Sequence, residues 1–273
     1  MKTIKLSILL TFLTEFFLLP GMAQTYQKEI YNPLEISNRI MNYKIKSFTE
    51  WSYDYVNGNL SEGSLHSNIK YDSLGRVVES LKIENGQSSY GYFKYKPNGL
   101  SEINYLPSKT KLYISLDEHG NITKLLMKDS TEKITFSKSF FWNKDTTVVK
   151  TVIREYMPLN KITITNKYDG RNRLKKKVIR SVDGWSQYIL IKHIDSTTIE
   201  EYCYSSQNKL ISKEVNICNK NHQIIKSELY DSSNKLIENR TFTYDDKGFI
   251  IESTEELPNK PKKIIKTVTG YYD

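Results

Sequence analysis

The sequence predicts an all-β fold, a long antiparallel meander of hairpin repeats that forms a coiled sheet, an open barrel or a partial shell. Three observations predict it. A corner motif of the Tyr-Asp type recurs along the chain, the residues between corners alternate with a period of two, and aromatic residues make up 12% of the chain. Together they indicate roughly fifteen to twenty short strands joined in sequence.

Residues 1–23 have the three parts of a secretory signal peptide. Lys2 and Lys5 form a basic start, an apolar stretch runs from Leu6 to Leu19, and a small-residue site ends at Ala23. The apolar stretch is shorter than the roughly 20 residues that span a bilayer. We therefore expect cleavage after Ala23, no transmembrane segment in the mature chain, and a protein that is periplasmic, on the outer surface or secreted.

Residues 24–50 form an N-terminal segment in which one helix or an edge strand is expected. Asn32, Pro33 and Glu35 have the types and spacing of a helix start, leading into Ile36 and Ile40. The competing interpretation is an edge strand. Residues 51–273 are assigned to one β-hairpin repeat domain.

The corner motif has the form Tyr-Asp-x-x-Gly-x-φ-φ-Glu, where φ is apolar. Two copies match it fully, and two more replace Gly by Asn. The structural corner residues are Tyr71, Asp72 and Gly75; Tyr168 and Asp169; Tyr230 and Asp231; and Tyr244, Asp245 and Gly248. Further corners are expected at Asn85-Gly86 and Asp183-Gly184.

The residue types of the motif suit a chain reversal. An Asp after a strand accepts hydrogen bonds from the backbone two residues on, and a Gly or Asn three residues later tolerates a positive φ. The Tyr ends the incoming strand, and we expect its ring to pack on a half-buried face while its hydroxyl stays in water. The motif therefore predicts a hairpin corner.

This motif resembles the YD repeat of RHS and teneurin-type proteins, and the frame covers most of the chain from about residue 50 onward. The resemblance implies a long antiparallel sheet wound into a shell or wrap. Larger family members use such a shell to enclose a C-terminal toxin or to present an adhesive surface. This chain is short and lacks a recognisable toxin segment or self-cleaving region, so it is similar to the short exported YD-repeat proteins of Bacteroidota-like bacteria.

Cys203 and Cys218 are the two cysteines of the chain. They lie at consecutive corners, which a meander places at opposite ends of a strand of about eight residues, or roughly 25 Å apart. A disulfide requires Cα atoms within about 7 Å. We therefore expect two unpaired thiols.

The sequence contains no recognisable catalytic, metal or cofactor motif. The four histidines His66, His119, His193 and His222 lack metal-ligand spacing. The adjacent pairs Glu200-Glu201 and Glu255-Glu256 point to opposite faces of a strand, so neither pair can flank one glycosidic bond. We expect no catalytic residue, no metal site, no cofactor and no enzyme activity.

Aromatic residues give the one functional hint. Tyr90, Tyr92, Phe93 and Tyr95 put rings on both faces of one strand. Such rings can stack on sugars or on a partner, but cross-strand aromatic pairing that stabilises the sheet explains them as well.

These features favour an exported, non-enzymatic binding or structural module of the cell envelope or extracellular space, with a glycan or a protein at the cell surface as its candidate partner. Basic residues outnumber acidic ones by 40 to 31, but the excess is spread along the chain, and an exported protein is not expected to bind nucleic acid. The alternatives are a carbohydrate-active enzyme with its acids on separate strands, and a shell or chaperone for a separately encoded effector.

Overall fold

The computed structural model describes residues 40–84, 86–96, 99–119, 121–143, 147–156 and 159–272. The predicted signal peptide and residues 24–39, where a helix or an edge strand is expected, lie outside these residues, and residues 40–42 are helical. Strands make up most of the described chain. Within it, no helix has the length and apolar character that crossing a membrane requires.

Nineteen strands follow one another through the described residues. Their bounds are β1 Ile45–Val56, β2 Asn59–Leu60, β3 Ser64–Tyr71, β4 Val77–Glu84, β5 Gln87–Lys96, β6 Gly99–Leu106, β7 Thr110–Leu116, β8 Ile122–Lys128, β9 Ile134–Trp142, β10 Val148–Tyr156, β11 Leu159–Tyr168, β12 Leu174–Ser181, β13 Ser186–His193, β14 Thr198–Ser205, β15 Leu210–Cys218, β16 Ile224–Asp231, β17 Leu236–Tyr244, β18 Ile250–Glu256 and β19 Lys262–Tyr271.

The strands form a single antiparallel meander that closes into a barrel. From β3 to β19 each strand pairs with the next, and β1 pairs with both β3 and β19, so that 18 strands make the ring and the two-residue β2 pairs with β1 alone. Ser47 lies opposite Gly270 and Tyr55 opposite Lys262 along the closing pair. The sheet is therefore closed, and the prediction of an open barrel or partial shell is corrected.

Closure has a physical cause in the twist of the sheet. Neighbouring strands are rotated by roughly 20–25° in a constant sense, so a sheet of this many strands curls and its two edges approach each other. Pairing β1 with β19 satisfies both rows of backbone groups that an open sheet would leave at its edges. At the closing seam the Tyr272 amide also donates to the Lys44 carbonyl at 2.7 Å.

The Tyr-Asp segments lie at chain reversals. The Asp72 carboxylate accepts from the amides of Leu74 and Arg76, both at 3.0 Å, and Asp169 accepts from the amides of Arg171 and Arg173, both at 2.9 Å. Three residues after the Asp the backbone has a positive φ, 71° at Gly75 and 59° at Asn172. The carboxylate thus organises the turn, and Gly or Asn supplies the conformation that other residues adopt with strain.

One end of the barrel, which we call the corner rim, carries the inward-facing last residues of every second strand. These corner residues are Tyr71, Tyr95, Leu116, Trp142, Tyr168, His193, Cys218 and Tyr244. Tyr204 and Tyr230 belong to corners at the opposite end, where the parity of the strand turns the ring outward. The tyrosine of the motif therefore faces the inside of the barrel at the corner rim and the outside at the opposite end.

The hydroxyls at the corner rim are not left in water, contrary to the prediction. Tyr95 donates to the Val77 carbonyl at 2.9 Å, Tyr168 to the Val148 carbonyl at 2.9 Å and Tyr244 to the Ile224 carbonyl at 2.7 Å. Each acceptor is the first residue of the strand before the tyrosine's own. The rings pack on the inner face, and each hydroxyl satisfies a carbonyl that lies two residues before the first cross-strand pair of the two strands.

Removal of one such hydroxyl should destabilise the barrel by an amount that depends on the neighbouring residue. We expect Tyr244→Phe to lower the free energy of unfolding by roughly 0.5–1.5 kcal/mol, because the Ile224 carbonyl loses its donor. Tyr168→Phe should cost less, because the Asn166 side-chain amide also donates to the Val148 carbonyl, at 3.0 Å. Urea denaturation of both variants measures the difference, and equal losses would contradict this account.

The buried apolar residues form four clusters along the inner face. Each cluster draws on strands that are neighbours in the wall, such as Phe136, Ile153, Ile162 and Ile179 on β9–β12, or Leu174, Ile191, Ile199, Cys218 and Ile224 on β12–β16. The cluster at the closing seam contains Ile40, Ile45, Phe48, Ile69, Tyr71 and Phe249. The apolar residues thus line the wall in arcs.

Both cysteines are free thiols. Cys203 lies opposite Ser212 of β15, and Cys218 is six residues further along that strand, or about 20 Å at the usual strand rise. The strand register thus separates the two sulfurs in the way that the meander predicts.

Candidate functional site

The cross-strand register decides which side chains face the inside of the barrel, because residues directly opposite in an antiparallel pair share a face. One inward row runs Ile199, Asn216, Ser227, Arg240, Glu255 and Lys263 across β14–β19. A second row runs Ile191, Glu201, Glu214, Leu229 and Glu238 across β13–β17. Each row begins at an isoleucine of a buried cluster, which identifies the inner face.

Polar residues dominate both rows on β14–β18. We call the set the inner polar patch, and it consists of Glu201, Glu214, Asn216, Ser227, Glu238, Arg240 and Glu255. It contains four carboxylates and one guanidinium. The facing arc, β5–β12, has instead mainly apolar inward residues such as Phe93, Ile103, Leu112 and Leu125. The inside of the barrel therefore has a polar sector and an apolar sector.

Hydrogen bonds and ion pairs connect the patch. The Ser227 hydroxyl donates to Glu214 at 2.9 Å, and Arg240 pairs with Glu255 at 3.0 Å and with Glu238. The arginine thus bridges two carboxylates on different strands, β17 and β18. This arrangement fixes the positions of the charged groups relative to the wall.

Two inward carboxyls have pKa values above their usual range. Burial raises the pKa of Glu238, Arg240 lowers it, and the nearby Glu255 and Glu214 raise it further. Burial also raises the pKa of Glu50 on β1, although Ser67 donates a hydrogen bond to it and Lys82 and Lys263 lie near. A carboxyl that is easier to protonate than normal indicates an environment in which negative charge is already in excess or poorly solvated.

Side chains that face inward at mid-strand still contact solvent. Arg240 is 47% exposed and Glu255 32% exposed, although both lie on the inner face. Side chains in a filled interior would have little or no exposed area. Water therefore reaches the inner polar patch.

Two members of the patch are buried, Glu201, which is 7% exposed, and Asn216. Asn216 is 0% exposed, and neither its amide nitrogen nor its carbonyl oxygen has a hydrogen-bond partner among the described residues. Asn216 lies two residues before Cys218 of the corner rim. The same position on the other strands of this rim is apolar in six cases and an asparagine, Asn166, in one. The six apolar residues are Ile69, Phe93, Ile114, Phe140, Ile191 and Phe242. Asn166 donates to the Val148 carbonyl. Asn216 is thus a polar group at an apolar position without an acceptor of that kind.

The outer face carries a ladder of tyrosines next to lysines. Tyr188 stacks on Tyr204 with ring centroids 5.0 Å apart, and Tyr202 lies parallel to Tyr204 at 6.5 Å. Lys176 lies 4.5 Å from the Tyr188 ring and Lys192 4.5 Å from the Tyr202 ring. Each of these two rings has an ammonium group over its face, so lysines of the same sheet already make the cation–π contacts that a ligand could make.

The four aromatic residues predicted as a binding surface do not share one face. Tyr90 and Tyr92 point outward and are 37% and 42% exposed. Phe93 and Tyr95 point inward, where Phe93 packs with the cluster around Ile103 and Tyr95 bonds to Val77. A ligand could therefore contact at most two of these rings at once.

The four histidines lie on different strands or corners of the sheet. His222 adopts a positive φ of 59° at its corner, and the His193 ring lies 3.3 Å from the Leu174 carbonyl. Among the described residues, no group of three or more His, Cys, Asp or Glu side chains is arranged to hold a metal ion.

Sequence reasoning missed the inner polar patch. It noted Glu200-Glu201 and Glu255-Glu256 as pairs split between two faces, and the structure agrees, since Glu200 pairs with Lys213 and Glu256 with Lys262 on the outside. The alternation identifies one inward member in each pair but not which one. Only the register, which is shifted by a bulge in each of the four strand pairs from β14 to β18, places Glu201, Glu214, Glu238 and Glu255 together.

The raised pKa of Glu238 predicts a pH-dependent gain in stability from Glu238→Gln. Because the pKa of Glu238 is raised above 4.5 in the folded state, ionisation of its carboxyl at neutral pH destabilises the fold. The variant should therefore have a melting temperature a few degrees higher at neutral pH, and this difference should disappear in acid, where Glu238 is protonated. Thermal melts across the pH range measure this. Glu228→Gln is the matched control, because Lys226 holds the pKa of Glu228 below its usual range and the loss should appear at neutral pH. Opposite signs are expected, and equal signs would contradict the assignment.

No protein-family model and no curated protein matches the sequence. Solved structures with a similar arrangement of strands include a porin-like protein from Bacteroides uniformis, with 10% identity over 84% of this chain and 97% of that one and a TM-score of 0.46. They also include the TcdB2-TccC3-TEV structure, with 8% identity over 74% of this chain and 15% of that one and a TM-score of 0.39. A DUF1329 family protein from Desulfovibrio piger has 8% identity over 89% and 93% and a TM-score of 0.27. At these values the similarity is too distant to transfer a function.

Proposed function

We propose that this protein is an exported, non-enzymatic binding module whose closed barrel surrounds a water-filled lumen that receives a ligand. Export rests on the signal-peptide pattern of residues 1–23. The lumen rests on the closed sheet and on its inward, exposed charges. The polar sector on β14–β18 provides the binding surface.

The exposure of Arg240 is the observation that carries the proposal. A circular ring of 18 strands spaced about 4.8 Å apart and tilted about 40° is roughly 35 Å across between opposite backbones. Barrels of this strand number are too wide for their side chains to fill. A water-filled lumen explains why the inward guanidinium of Arg240 is 47% exposed.

The geometry of the carboxylates supports a binding role over hydrolysis of glycosides. Glu238 and Glu255 share Arg240, whose guanidinium pairs with both carboxylates. The two acids of a glycosidase are separated by at least about 5 Å, so that a sugar bond or a water fits between them. This pair is bridged by the Arg240 guanidinium instead.

Paired cysteine substitutions test the lumen. In a protein without Cys203 and Cys218, Ser253→Cys places a thiol on the inner face and Thr254→Cys places one on the outer face of the same strand, β18. We expect a small reagent such as iodoacetamide to modify both thiols, and a long polyethylene-glycol maleimide to modify the outer thiol much faster than the inner one.

Two results would overturn the proposal. If the Ser253→Cys thiol does not react with iodoacetamide in the folded protein, the interior is filled. If the bulky maleimide modifies both thiols at the same rate, the sheet is open. Small-angle scattering gives an independent measurement, because a hollow cylinder and a solid body of equal mass have different distance distributions.

A shell for a separately encoded effector is the second candidate, and the closed wall favours it over a flat adhesive surface. In that case the lumen would hold a polypeptide. Native mass spectrometry of the protein purified from its own cells would show a stoichiometric second chain, whereas the ligand-binding proposal expects the protein mass alone or with a small molecule.

A further inference from the structure

We propose that the inner polar patch is the binding site of an amino alcohol, a ligand with a primary ammonium group next to a hydroxyl, as in an amino sugar. The inference deepens the proposed function and depends on it, because the ligand must enter the lumen. Asn216, Ser227 and Glu214 form its centre.

Asn216 points to a ligand because the described part of the chain gives its amide no hydrogen-bond partner. A buried amide without hydrogen bonds costs on the order of 1–3 kcal/mol, and buried polar groups in folded proteins are nearly always satisfied. Asn216 is inward-facing, directly opposite Ser227 and two residues from Glu214 on the same face of β15. Its oxygen can accept from an ammonium group and its nitrogen can donate to a hydroxyl.

The charge around Asn216 selects a cation. The inner polar patch holds four carboxylates and the single guanidinium of Arg240, and its flanking inward lysines are Lys177 on β12 and Lys263 on β19. Glu201 and Glu214 lie directly opposite each other, a position at which like charges destabilise a sheet. An ammonium group bound beside Glu214 would reduce this repulsion.

The hydrogen-bonding groups select a hydroxyl as the second feature of the ligand. Ser227 donates to Glu214 at 2.9 Å, and its small side chain lies opposite Asn216. Because Asn216 has no exposed surface, a ligand reaches its amide only if a neighbouring side chain moves, and Ser227 is the neighbour directly opposite on β16. A ligand with vicinal donor and acceptor groups replaces the Ser227–Glu214 bond and satisfies Asn216 as well.

Isothermal titration with four probes tests the site. D-glucosamine carries both groups, glucose lacks the ammonium, N-acetylglucosamine has a neutral amide in its place, and putrescine has ammonium groups without a hydroxyl. We expect glucosamine to bind at one site and at least roughly tenfold more tightly than the other three, since a hydrogen bond to a charged group contributes about that factor.

Two variants locate the binding. Asn216→Leu should stay folded and lose the preference for glucosamine, and Glu214→Gln should weaken glucosamine about tenfold while leaving any glucose binding unchanged. Thr254→Ala, on the outer face, should bind as the unmodified protein does. The inference is overturned if glucose binds equally well, if glucosamine does not bind, or if Asn216→Leu binds it normally and Asn216 therefore holds only a buried water. The lumen could still react in the thiol experiment after any of these results, so the two proposals fail separately.

Discussion

Phe48→Ala is expected to lower the free energy of unfolding by about 3–5 kcal/mol, the usual effect of removing a fully buried phenylalanine. Phe48 is 1% exposed and lies where the sheet closes, opposite Thr269 of β19 and Ile69 of β3. Its ring contacts Tyr71 at 5.8 Å and Phe249 at 5.3 Å between centroids. The cavity would loosen the seam as well as reduce buried area. Guanidinium denaturation of the variant measures the loss.

Phe141→Ala is the matched control for this prediction. Phe141 is 47% exposed on the outer face, where Lys150 lies 5.3 Å from its ring. Its truncation should change stability by less than about 1 kcal/mol. If both substitutions had the same effect, the buried cluster at the seam would not be a principal source of stability.

Asn216→Leu is expected to raise the free energy of unfolding by about 1–3 kcal/mol, which is the penalty that an unsatisfied buried amide imposes. The leucine would extend the neighbouring cluster of Ile199, Cys218 and Ile224. Six equivalent positions in the same barrel already hold Ile or Phe, so an apolar residue fits the geometry of the repeat. A higher melting temperature combined with weaker glucosamine binding would show that this residue serves a ligand at the expense of stability.

Asn166→Leu tests whether the gain is specific to the missing partner. Asn166 occupies the equivalent position on β11 and donates to the Val148 carbonyl at 3.0 Å. Because Asn166, unlike Asn216, makes this hydrogen bond, its replacement by leucine should destabilise the protein. A stabilising effect at both positions would mean that burial of any apolar side chain explains the result.

Local features of this fold could be predicted because they depend on neighbours in the chain. Asp72 bonds to residues two and four positions on, and Gly75 and Asn172 take the positive φ within the same turn. Alternation between corners likewise requires no knowledge of distant residues. The strand-rich meander followed from these short-range rules.

Long-range features could not be predicted in the same way. The seam pairs β1, residues 45–56, with β19, residues 262–271, and no short sequence motif predicts that pairing. The hydrogen-bond acceptors of the corner hydroxyls could not be predicted either, since Tyr244 donates to the carbonyl of a residue 20 positions earlier in the chain. Bulges at corners such as those after β15 and β16 shift the register and so decide which glutamates face the inside of the barrel. The candidate site therefore depends on geometry that appears only after the strands have paired.

Closure between the first and last strands has a consequence for the order of assembly. During synthesis β1 and β3 emerge early and can pair at once, but the second edge of β1 has to wait for β19, more than two hundred residues later. Until then the growing sheet has two unsatisfied margins, each a template for another chain. Conditions that slow completion of the chain should therefore favour aggregation, whereas the finished ring offers no free margin.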